Sequence, residues 1–338
     1  MMKIGKISES ILKRSVLRAI KVNREELIKG AEVGGDCAFL SWKADCERVT
    51  ALSTQTVTLP VPCAAHLAVM AAANNLAAAG GRAMAATISL TLPEGTEEGS
   101  LKDIMKQVAD SCENLHIQIA GGHTEVSPYV NAPVITVTAV GTAPERQSCY
   151  GGAADRPAEG CREMDLVISK WVGMEGTAIL ACEKEDELLK RYPAALITEA
   201  KGFMNRFSVL PEAAIALKSG VYAMHDVRNG GIFGALWELS QKIGVGLSVF
   251  LKEIPIRQET VEICEYFDLN PYELLSGGCL LMAAENGLKL KQELEKAGIP
   301  ASVVGRTNGG NDKLVQNGDE GRYLTMPAQD EIWKVFAK

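Results

Sequence analysis

The sequence predicts an α+β protein with two domains, and three observations support this prediction. The chain has 338 residues, more than one ordinary domain needs. Apolar, strand-like runs alternate with helical patterns in both halves of the chain. Between the halves, residues 144–163 contain few apolar side chains and several glycines and prolines, which is typical of a linker. We therefore expect one domain over residues 1–150 and a second over residues 151–338.

Each half has the patterns of its own sheet and helices. In the first half, strands are predicted at 36–42, 48–54, 84–92, 115–120 and 132–143, and helices at 8–21, 61–80 and 97–114. In the second half, strands are predicted at 165–173, 244–251, 277–284 and 301–307, and helices within 175–218 and at 230–241, 258–267, 286–297 and 328–336. The Ala-rich helix has a small-residue face that would let a sheet or another helix approach closely.

Composition and charge argue against several classes of partner. The net charge of −7 makes nucleic acid or an anionic membrane surface an unfavourable partner. Residues 61–80 are the one candidate membrane span, but they are mostly alanine and contain Pro62, His66 and two asparagines. The nine cysteines form no CxxC pair and no signal peptide precedes them. We therefore expect reduced thiols and a cytoplasmic protein with no membrane partner.

Four short stretches are candidates for a functional site, because each is predicted where a strand meets a turn or a helix start. They are VGGDCAF (33–39), STQT (53–56), GGHTEV (121–126) and HDVRNGG (225–231). Glycine turns expose backbone N–H groups that suit phosphate, and Asp36, Glu125 and Asp226 could hold Mg²⁺. Taken singly, each stretch also has a plain structural explanation, since most glycine turns are only turns and Asp36 could be a capping residue.

The order of these stretches along the chain resembles the PurM/HypE superfamily of ATP-using enzymes, and above all its bacterial HypE-like, AIR synthase-related branch. Further stretches carry the same resemblance: DLVISKWVGMEGTAILA (165–181), HDVRNGGIFGALWEL (225–239) and IPIRQETVEICEYFDLNPYELLSGGCLLMA (254–283). The resemblance implies a two-domain PurM-like fold. Its N-terminal mixed sheet would bind ATP and pair in a homodimer, and its C-terminal domain would be an α/β sandwich.

The resemblance also implies a chemistry, which is phosphoryl transfer from Mg·ATP to a small carbonyl- or thiocarbonyl-type acceptor in metalloenzyme maturation, such as hydrogenase maturation. The partner would be a small-molecule acceptor or a maturation protein. Matched position by position, the residues that would bind the nucleotide are Asp36, Gln55, Asn74, Asn75, Gly121, Gly122, His123 and Thr124. Asp36 and Glu125 would bind Mg²⁺, and Glu125 and Asp226 would be catalytic.

The chain departs from the family pattern at three acidic positions. Gln55, Asn75 and Asn229 stand where relatives have a carboxylate, and the chain lacks the C-terminal cysteine of HypE proper. An amide oxygen can still ligate a metal, but it supplies no charge to balance Mg²⁺. The sequence therefore leaves open an alternative, a catalytically degenerate relative that acts as a nucleotide-binding or scaffold dimer. In that alternative, Arg228 could contact phosphate where a metal once did.

Overall fold

The computed structural model describes residues 9–17, 26–41, 48–144 and 163–337, which belong to two compact units. The N-terminal unit comprises Arg24–Gly30 and Asp36–Ser148, and the C-terminal unit comprises Met1–Asn23, Ala31–Gly35 and Cys149–Lys338. Most of the linker predicted at 144–163 lies outside the described residues. Of the helices that are described, none is long and apolar enough to cross a membrane.

The N-terminal unit is built on a six-stranded sheet. Its strands are β1 (Leu27–Lys29), β2 (Ala38–Leu40), β3 (Arg48–Val57), β4 (Arg82–Pro93), β5 (Gln118–Ser127) and β6 (Val134–Pro144), in the order β1-β2-β3-β6-β4-β5. Pairing is antiparallel except between β4 and β5. In the described part of the unit, β5 is therefore an edge strand.

One face of this sheet is covered by helices α2 (Ala64–Ala78) and α3 (Glu98–Leu115). Alanine dominates α2, whose side chains are almost all buried, so the helix lies close against β3 and β6. The opposite face carries threonines, and pairs of them hydrogen-bond across strands at 2.9 Å, Thr54 with Thr138 and Thr56 with Thr136. This helix-free surface is called the threonine face below.

The C-terminal unit is built on a seven-stranded sheet in the order β13-β12-β9-β11-β7-β10-β8. Its strands are β7 (Asp165–Ser169), β8 (Ala223–Val227), β9 (Gly246–Phe250), β10 (Cys279–Ala284), β11 (Ala301–Asn308), β12 (Lys313–Asn317) and β13 (Glu320–Tyr323). Its helices are α1 (Glu9–Ile11), α4 (Met174–Glu183), α5 (Glu185–Leu188), α6 (Ala194–Gly202), α7 (Leu210–Lys218), α8 (Gly231–Ile243), α9 (Gln258–Phe267), α10 (Gly287–Lys296) and α11 (Trp333–Phe336). Pairing is antiparallel except between β9 and β12.

The start of the chain packs on α8 within this unit. Helix α1 and the π-helical turn that follows it, Leu12–Val16, confirm part of the helix predicted at 8–21. The indole N–H of Trp237 on α8 donates to Glu9 Oε2 at 2.8 Å, and the Lys313 ammonium lies 4.8 Å from the centre of the indole ring. These contacts explain why a segment from the start of the sequence belongs to the C-terminal unit.

Several element boundaries differ from the sequence predictions. Strand β3 continues to Val57, so STQT lies inside a strand and not at its end. The strand predicted at 165–173 stops at Ser169, because Lys170 adopts a left-handed conformation with φ of 56°. The helix predicted at 328–336 is only the single turn α11. The β12–β13 hairpin was not predicted, because its strands are mainly polar and lie at the edge of the sheet.

Candidate functional site

Three neutral residues meet where helix α2 crosses strand β3 in the N-terminal unit. The Asn75 side chain donates from Nδ2 to Ser53 Oγ at 3.0 Å, and the Cys37 thiol donates to the Asn75 backbone carbonyl at 3.4 Å. Cys37 and Ser53 are buried, and Asn75 is half-buried. We call these three residues the amide cluster. Its hydrogen bonds connect the β2 strand start, β3 and α2 without any formal charge.

Three of the predicted nucleotide-binding residues lie beside the amide cluster. Asp36 is half-buried and directly precedes the cluster's cysteine, in the loop that leads into β2. Gln55 follows the cluster's serine by two residues, so both side chains are on the same face of β3. Asn74, the neighbour of Asn75, is only 1% exposed. The structure therefore brings Asp36, Gln55 and both asparagines into one region of the N-terminal unit.

The prediction that residues 121–126 form a glycine turn is wrong. They lie inside β5, which continues to Ser127 and pairs in parallel with β4. Gly122 is needed for this pairing, because a Cβ at that position would lie 2.0 Å from the Ile88 carbonyl oxygen. The two glycines, Gly121 and Gly122, therefore belong to a closely paired strand and do not form the loop of free N–H groups that the sequence suggested.

His123 and Glu125 project from β5 onto the threonine face, opposite the amide cluster. In the strand register they stand beside Ser89 and Thr91, which point away from the helices, whereas Thr124 stands beside a buried leucine. His123 Nε2 lies 3.6 Å from Glu125 Oε2, and both side chains are more than half exposed. Within one N-terminal unit, the structure does not bring Glu125 together with the amide cluster.

In the C-terminal unit, Asp226 is buried on β8 close to an arginine that has a partner of its own. Arg228 Nε lies 3.2 Å from both carboxylate oxygens of Glu175, and Nη2 lies 3.0 Å from Oε1. Burial alone would lower the pKa of Arg228, but Glu175, and then Asp226 and Asp330, raise it above its ordinary value. Glu175 therefore holds the guanidinium in this structure, and the suggestion that Arg228 contacts phosphate stays a prediction.

Asp330 joins three segments of the C-terminal unit through backbone hydrogen bonds. Its carboxylate accepts the N–H groups of Gly230 at 2.6 Å, Leu275 at 3.2 Å and Ile332 at 3.0 Å. Gly230 is the N-cap residue of α8, so a carboxylate of this same unit already caps that helix. Burial raises the pKa of Asp330 to about 7, although the three N–H donors favour the ionised form.

In a second buried ion pair, Lys170 Nζ lies 2.5 Å from Glu212 Oε1. The Lys170 ammonium also donates to the backbone carbonyls of Arg206 at 3.0 Å, Ser208 at 2.7 Å and Gly278 at 2.9 Å. All three N–H donors of the ammonium can therefore be used. This arrangement ties the segment before α7 to the loop before β10, and it compensates for the left-handed backbone of Lys170.

Cys279, the first residue of β10, lies in the same charged surroundings. Burial raises the pKa of its thiol far above the ordinary value, Lys170 lowers it, and Asp226 and Glu212 raise it further. The thiol donates to the Trp171 carbonyl at 2.6 Å. Cys279 is therefore a neutral, structural thiol and not a nucleophile.

The described residues do not fit a resident metal ion. In the described ranges, no group of three or more histidine, cysteine, aspartate or glutamate side chains is placed to hold one. Glu125 lies beside His123, and the charge of Asp226 acts on Arg228.

Sequence reasoning did not find the buried charges at Lys170, Glu175, Glu212 and Asp330. A signal for one of them exists, because Glu175 interrupts the otherwise apolar and small-residue run of α4. Its partner lies 53 positions further along the chain, and that distance hides the pairing from pattern analysis.

Comparison with known protein families shows to which family this chain belongs. Residues 34–143 match the N-terminal domain of AIR synthase related proteins, and residues 166–316 match the C-terminal domain. The chain therefore belongs to the AIR synthase-related family, within the PurM/HypE superfamily, and both the resemblance and the two-domain α+β fold predicted from the sequence are confirmed.

Two individual proteins are similar in sequence to most of this chain. A candidate hydrogenase expression/formation protein of Methanocaldococcus jannaschii is 26% identical over 98% of this chain and 97% of its own length. Carbamoyl dehydratase HypE of Rhodobacter capsulatus is 29% identical over 71% of this chain and 68% of its own length.

Solved structures show the same fold. A chain of the HypE–HypF complex aligns with a TM-score of 0.70 and 18% identity, covering 94% of this chain and 99% of that chain. The hydrogenase maturation protein HypE in complex with ATP aligns with a TM-score of 0.68 and 18% identity, covering 98% of both chains.

Proposed function

We propose that this chain is a HypE-like protein that binds ATP and transfers a phosphoryl group to a small carbonyl- or thiocarbonyl-type acceptor in metalloenzyme maturation. The observation that carries the proposal is the similarity to HypE along the whole chain. The alignment with a structure of HypE in complex with ATP covers 98% of both chains. Carbamoyl dehydratase HypE among the sequence relatives supports the same choice of chemistry.

In this proposal, the region around the amide cluster binds the nucleotide. Asp36 and Gln55 supply oxygen atoms on one side of the cluster, and Asn75 is held in place by its bond to Ser53. Held side chains lose little freedom when they engage a ligand, so they position it at low entropic cost. The proposed nucleotide-binding set also includes Gly121, Gly122, His123 and Thr124 on β5, of which His123 projects onto the threonine face and not toward the amide cluster.

Asp226 and Glu125 are the proposed catalytic carboxylates. Asp226 is 5% exposed, and a buried carboxylate close to an acceptor can take up its proton as the phosphoryl group arrives. In phosphoryl transfer, positioning and charge neutralisation supply most of the rate enhancement. In this proposal, the neutralising Mg²⁺ enters with the nucleotide, and Asp36 and Glu125 are the chain's proposed contacts to it.

Phosphate release tests the proposal. The full chain is incubated with Mg·ATP, with and without a carboxamide or thiocarboxamide acceptor, and Asp226→Asn serves as the nearly isosteric variant. Acceptor-stimulated release that Asp226→Asn lowers by about a hundredfold or more would support the proposed role. ATP binding without release under any of these conditions would instead favour the scaffold alternative.

A second variant tests the assignment of the replaced acids. Gln55→Asp with Asn75→Asp restores the two carboxylates that relatives carry at these positions. If the two positions contact Mg·ATP, this variant should bind ATP more tightly when Mg²⁺ is present and not when it is absent. Equal affinities with and without Mg²⁺ would contradict the assignment.

The proposed assembly is a homodimer that pairs through the N-terminal sheets, with a HypF-type maturation protein as the further partner. The threonine face is a helix-free surface that carries cross-strand pairs of threonines, and the structure of a HypE–HypF complex motivates the choice of partner. Light scattering on the wild type, on Thr138→Arg and on the exposed control Thr198→Arg tests the dimer. Only Thr138→Arg should give a monomer; an unchanged mass would place the interface elsewhere.

A further inference from the structure

Trp171 lies against two arginine side chains in the C-terminal unit. The Cζ atom of Arg257 lies 5.0 Å from the centre of the indole ring, and that of Arg206 lies 5.6 Å from it. Phe203 stacks against the same ring, with the ring centres 6.3 Å apart and 29° between the planes. Both guanidinium groups are within the distance of about 6 Å at which an aromatic ring attracts a cation. We call Trp171, Arg206 and Arg257 the indole cluster.

The backbone of the indole cluster is fixed by hydrogen bonds to neighbouring segments. The Trp171 carbonyl accepts the Cys279 thiol at 2.6 Å, and the Arg206 carbonyl accepts the Lys170 ammonium at 3.0 Å. The backbone N–H of the residue after Trp171 donates to the Pro255 carbonyl at 3.0 Å, two positions before the second arginine of the cluster. The cluster is therefore a preorganised arrangement of one aromatic ring and two cations.

Arg206 differs from other basic side chains of this region because no carboxylate neutralises it. Three of its neighbours form ion pairs: Arg257 with Glu259, Lys170 with Glu212 and Arg228 with Glu175. Arg206 is exposed, and the part of the chain that the structure describes provides no carboxylate that pairs with it. A guanidinium against a ring still has N–H groups at its edge, and these suit the oxygens of a carboxylate or phosphate. The charge of Arg206 is therefore available to a ligand.

The indole cluster lies at the same end of the sheet as the proposed catalytic Asp226. Strands β7 and β8 pair antiparallel on either side of β10, so both of them end beside the start of β10. Cys279, the first residue of β10, stands opposite Val227 on β8, the residue after Asp226. The same cysteine bonds to Trp171, which follows the end of β7 by two residues. The backbone of Trp171 is therefore one strand away from Asp226.

We propose that the indole cluster binds an oxyanion, a carboxylate or a phosphate-type group, that the acceptor carries in addition to its carbonyl or thiocarbonyl group. Arg206 pairs with the oxyanion, Trp171 positions the guanidinium, and Arg257 adds positive charge beside it. The proposal deepens the proposed function and rests on it for the identity of the ligand as the acceptor. Its first test contains no nucleotide, so failure of the oxyanion site and failure of phosphoryl transfer are distinguishable.

The first test is a ¹⁹F nuclear magnetic resonance titration of the full chain labelled with 5-fluorotryptophan. The chain has four tryptophans, and Trp171→Phe identifies the signal of Trp171. Succinamate carries a carboxylate, phosphonoacetamide carries a phosphonate, and succinamide is the neutral control. The Trp171 signal should shift saturably with at least one anion and not with succinamide, and the anion that binds more tightly identifies the type of oxyanion. No saturable shift with either anion would overturn the proposal.

Two arginine variants locate the oxyanion. Arg206→Gln should weaken binding of the anion about tenfold or more, because it removes a charge-assisted contact. Arg191→Gln is the matched control, because Arg191 is also exposed and its Cζ atom lies 5.5 Å from the centre of the Tyr192 ring. The control should keep the affinity of the wild type. Equal losses of affinity in the two variants would overturn the proposal.

Phosphate release from Mg·ATP gives a second readout. Arg206→Gln should raise the KM for the tighter-binding anion about tenfold, while its kcat and the KM for succinamide stay within about twofold of the wild type. This pattern is expected of a residue that binds the acceptor equally in the ground state and in the transition state. An equal rise in KM for the anion and for succinamide would overturn the proposal. The titration decides the question even where neither acceptor supports release.

Discussion

The two units build their polar sites in opposite ways. The amide cluster of the N-terminal unit uses neutral hydrogen bonds between Cys37, Ser53 and Asn75. The C-terminal unit holds the loop before β10 with two ion pairs and the Asp330 carboxylate: Asp330 accepts the Leu275 N–H, Glu175 accepts the Gly277 N–H, and Lys170 donates to the Gly278 carbonyl. A neutral hydrogen bond contributes about 1 kcal/mol, whereas removing one partner of a buried ion pair costs roughly 3–5 kcal/mol.

This difference shows which site can vary without loss of the fold. The amide cluster has no charge to balance, so its side chains can change at small cost. Gln55 and Asn75, for which the resemblance to the family implies carboxylates, lie in or beside this tolerant region. Around residues 276–279, every charge depends on another segment, so a single substitution should affect several of them.

Glu175→Ala should have the largest effect on stability. It leaves Arg228 buried without its carboxylate and removes the acceptor of the Gly277 N–H group. We expect equilibrium urea unfolding to show a loss of roughly 3–5 kcal/mol. The double variant Glu175→Met with Arg228→Met removes both charges and should lose less than the single variant. A double variant that is less stable than Glu175→Ala would contradict the expectation that the unpaired buried charge causes most of the loss of stability.

Asp330 should make stability depend on pH. Its pKa is about 7 in the folded protein against an ordinary value of 3.8, so the folded state binds its proton more tightly. Its contribution is therefore present at low pH and is lost as pH rises from about 4 to 7, at ~1.4 kcal/mol per unit of pKa difference. The midpoint of unfolding should change between about pH 5 and pH 8, and this change should be larger in the wild type than in Asp330→Asn. Equal differences would show that Asp330 does not titrate in this range.

Gly277→Ala should be less costly than breaking the ion pair but clearly destabilising. The new Cβ would lie 2.2 Å from Glu175 Oε2, so the pair must shift, at a cost of about 1–3 kcal/mol. Gly309→Ala is the matched control, because its Cβ meets nothing within 4 Å. Urea unfolding of the two variants should separate them by at least ~1 kcal/mol. Equal stabilities would mean that the loop before β10 adapts easily.

Asn75→Ala should have the smallest effect on folding. It removes the bond to Ser53 Oγ, and we expect a loss of about 1 kcal/mol in urea unfolding. Asn75→Asp keeps the size of the side chain and serves as the comparison for charge. A loss in Asn75→Ala as large as that of Glu175→Ala would show that the amide cluster is not the tolerant site.

The sequence predicts the order of strands and helices well, because most of them bury a periodic apolar face. It also groups Asp36 with the two asparagines, and the structure brings these residues into one region of the N-terminal unit. It fails at 121–126, where glycines that look like a turn allow β5 to pair closely with β4. It also misses the β12–β13 hairpin, whose strands lack an apolar pattern.

The buried charges are the part that pattern analysis could not predict. Lys170 and Glu212 are 42 positions apart, and Arg228 and Glu175 are 53 apart. Local propensity and periodicity contain no information on such pairs, because only the folded sheet brings their segments together. The conclusion that Arg228 is held by Glu175 therefore depends on the structure.

Calorimetric titration of the full chain with ATP, with and without Mg²⁺, tests the proposed function most directly. We expect saturable binding that Mg²⁺ strengthens, and an affinity about tenfold or more weaker in Asp36→Asn, which removes the carboxylate beside the amide cluster. Absence of ATP binding under both conditions would contradict the account.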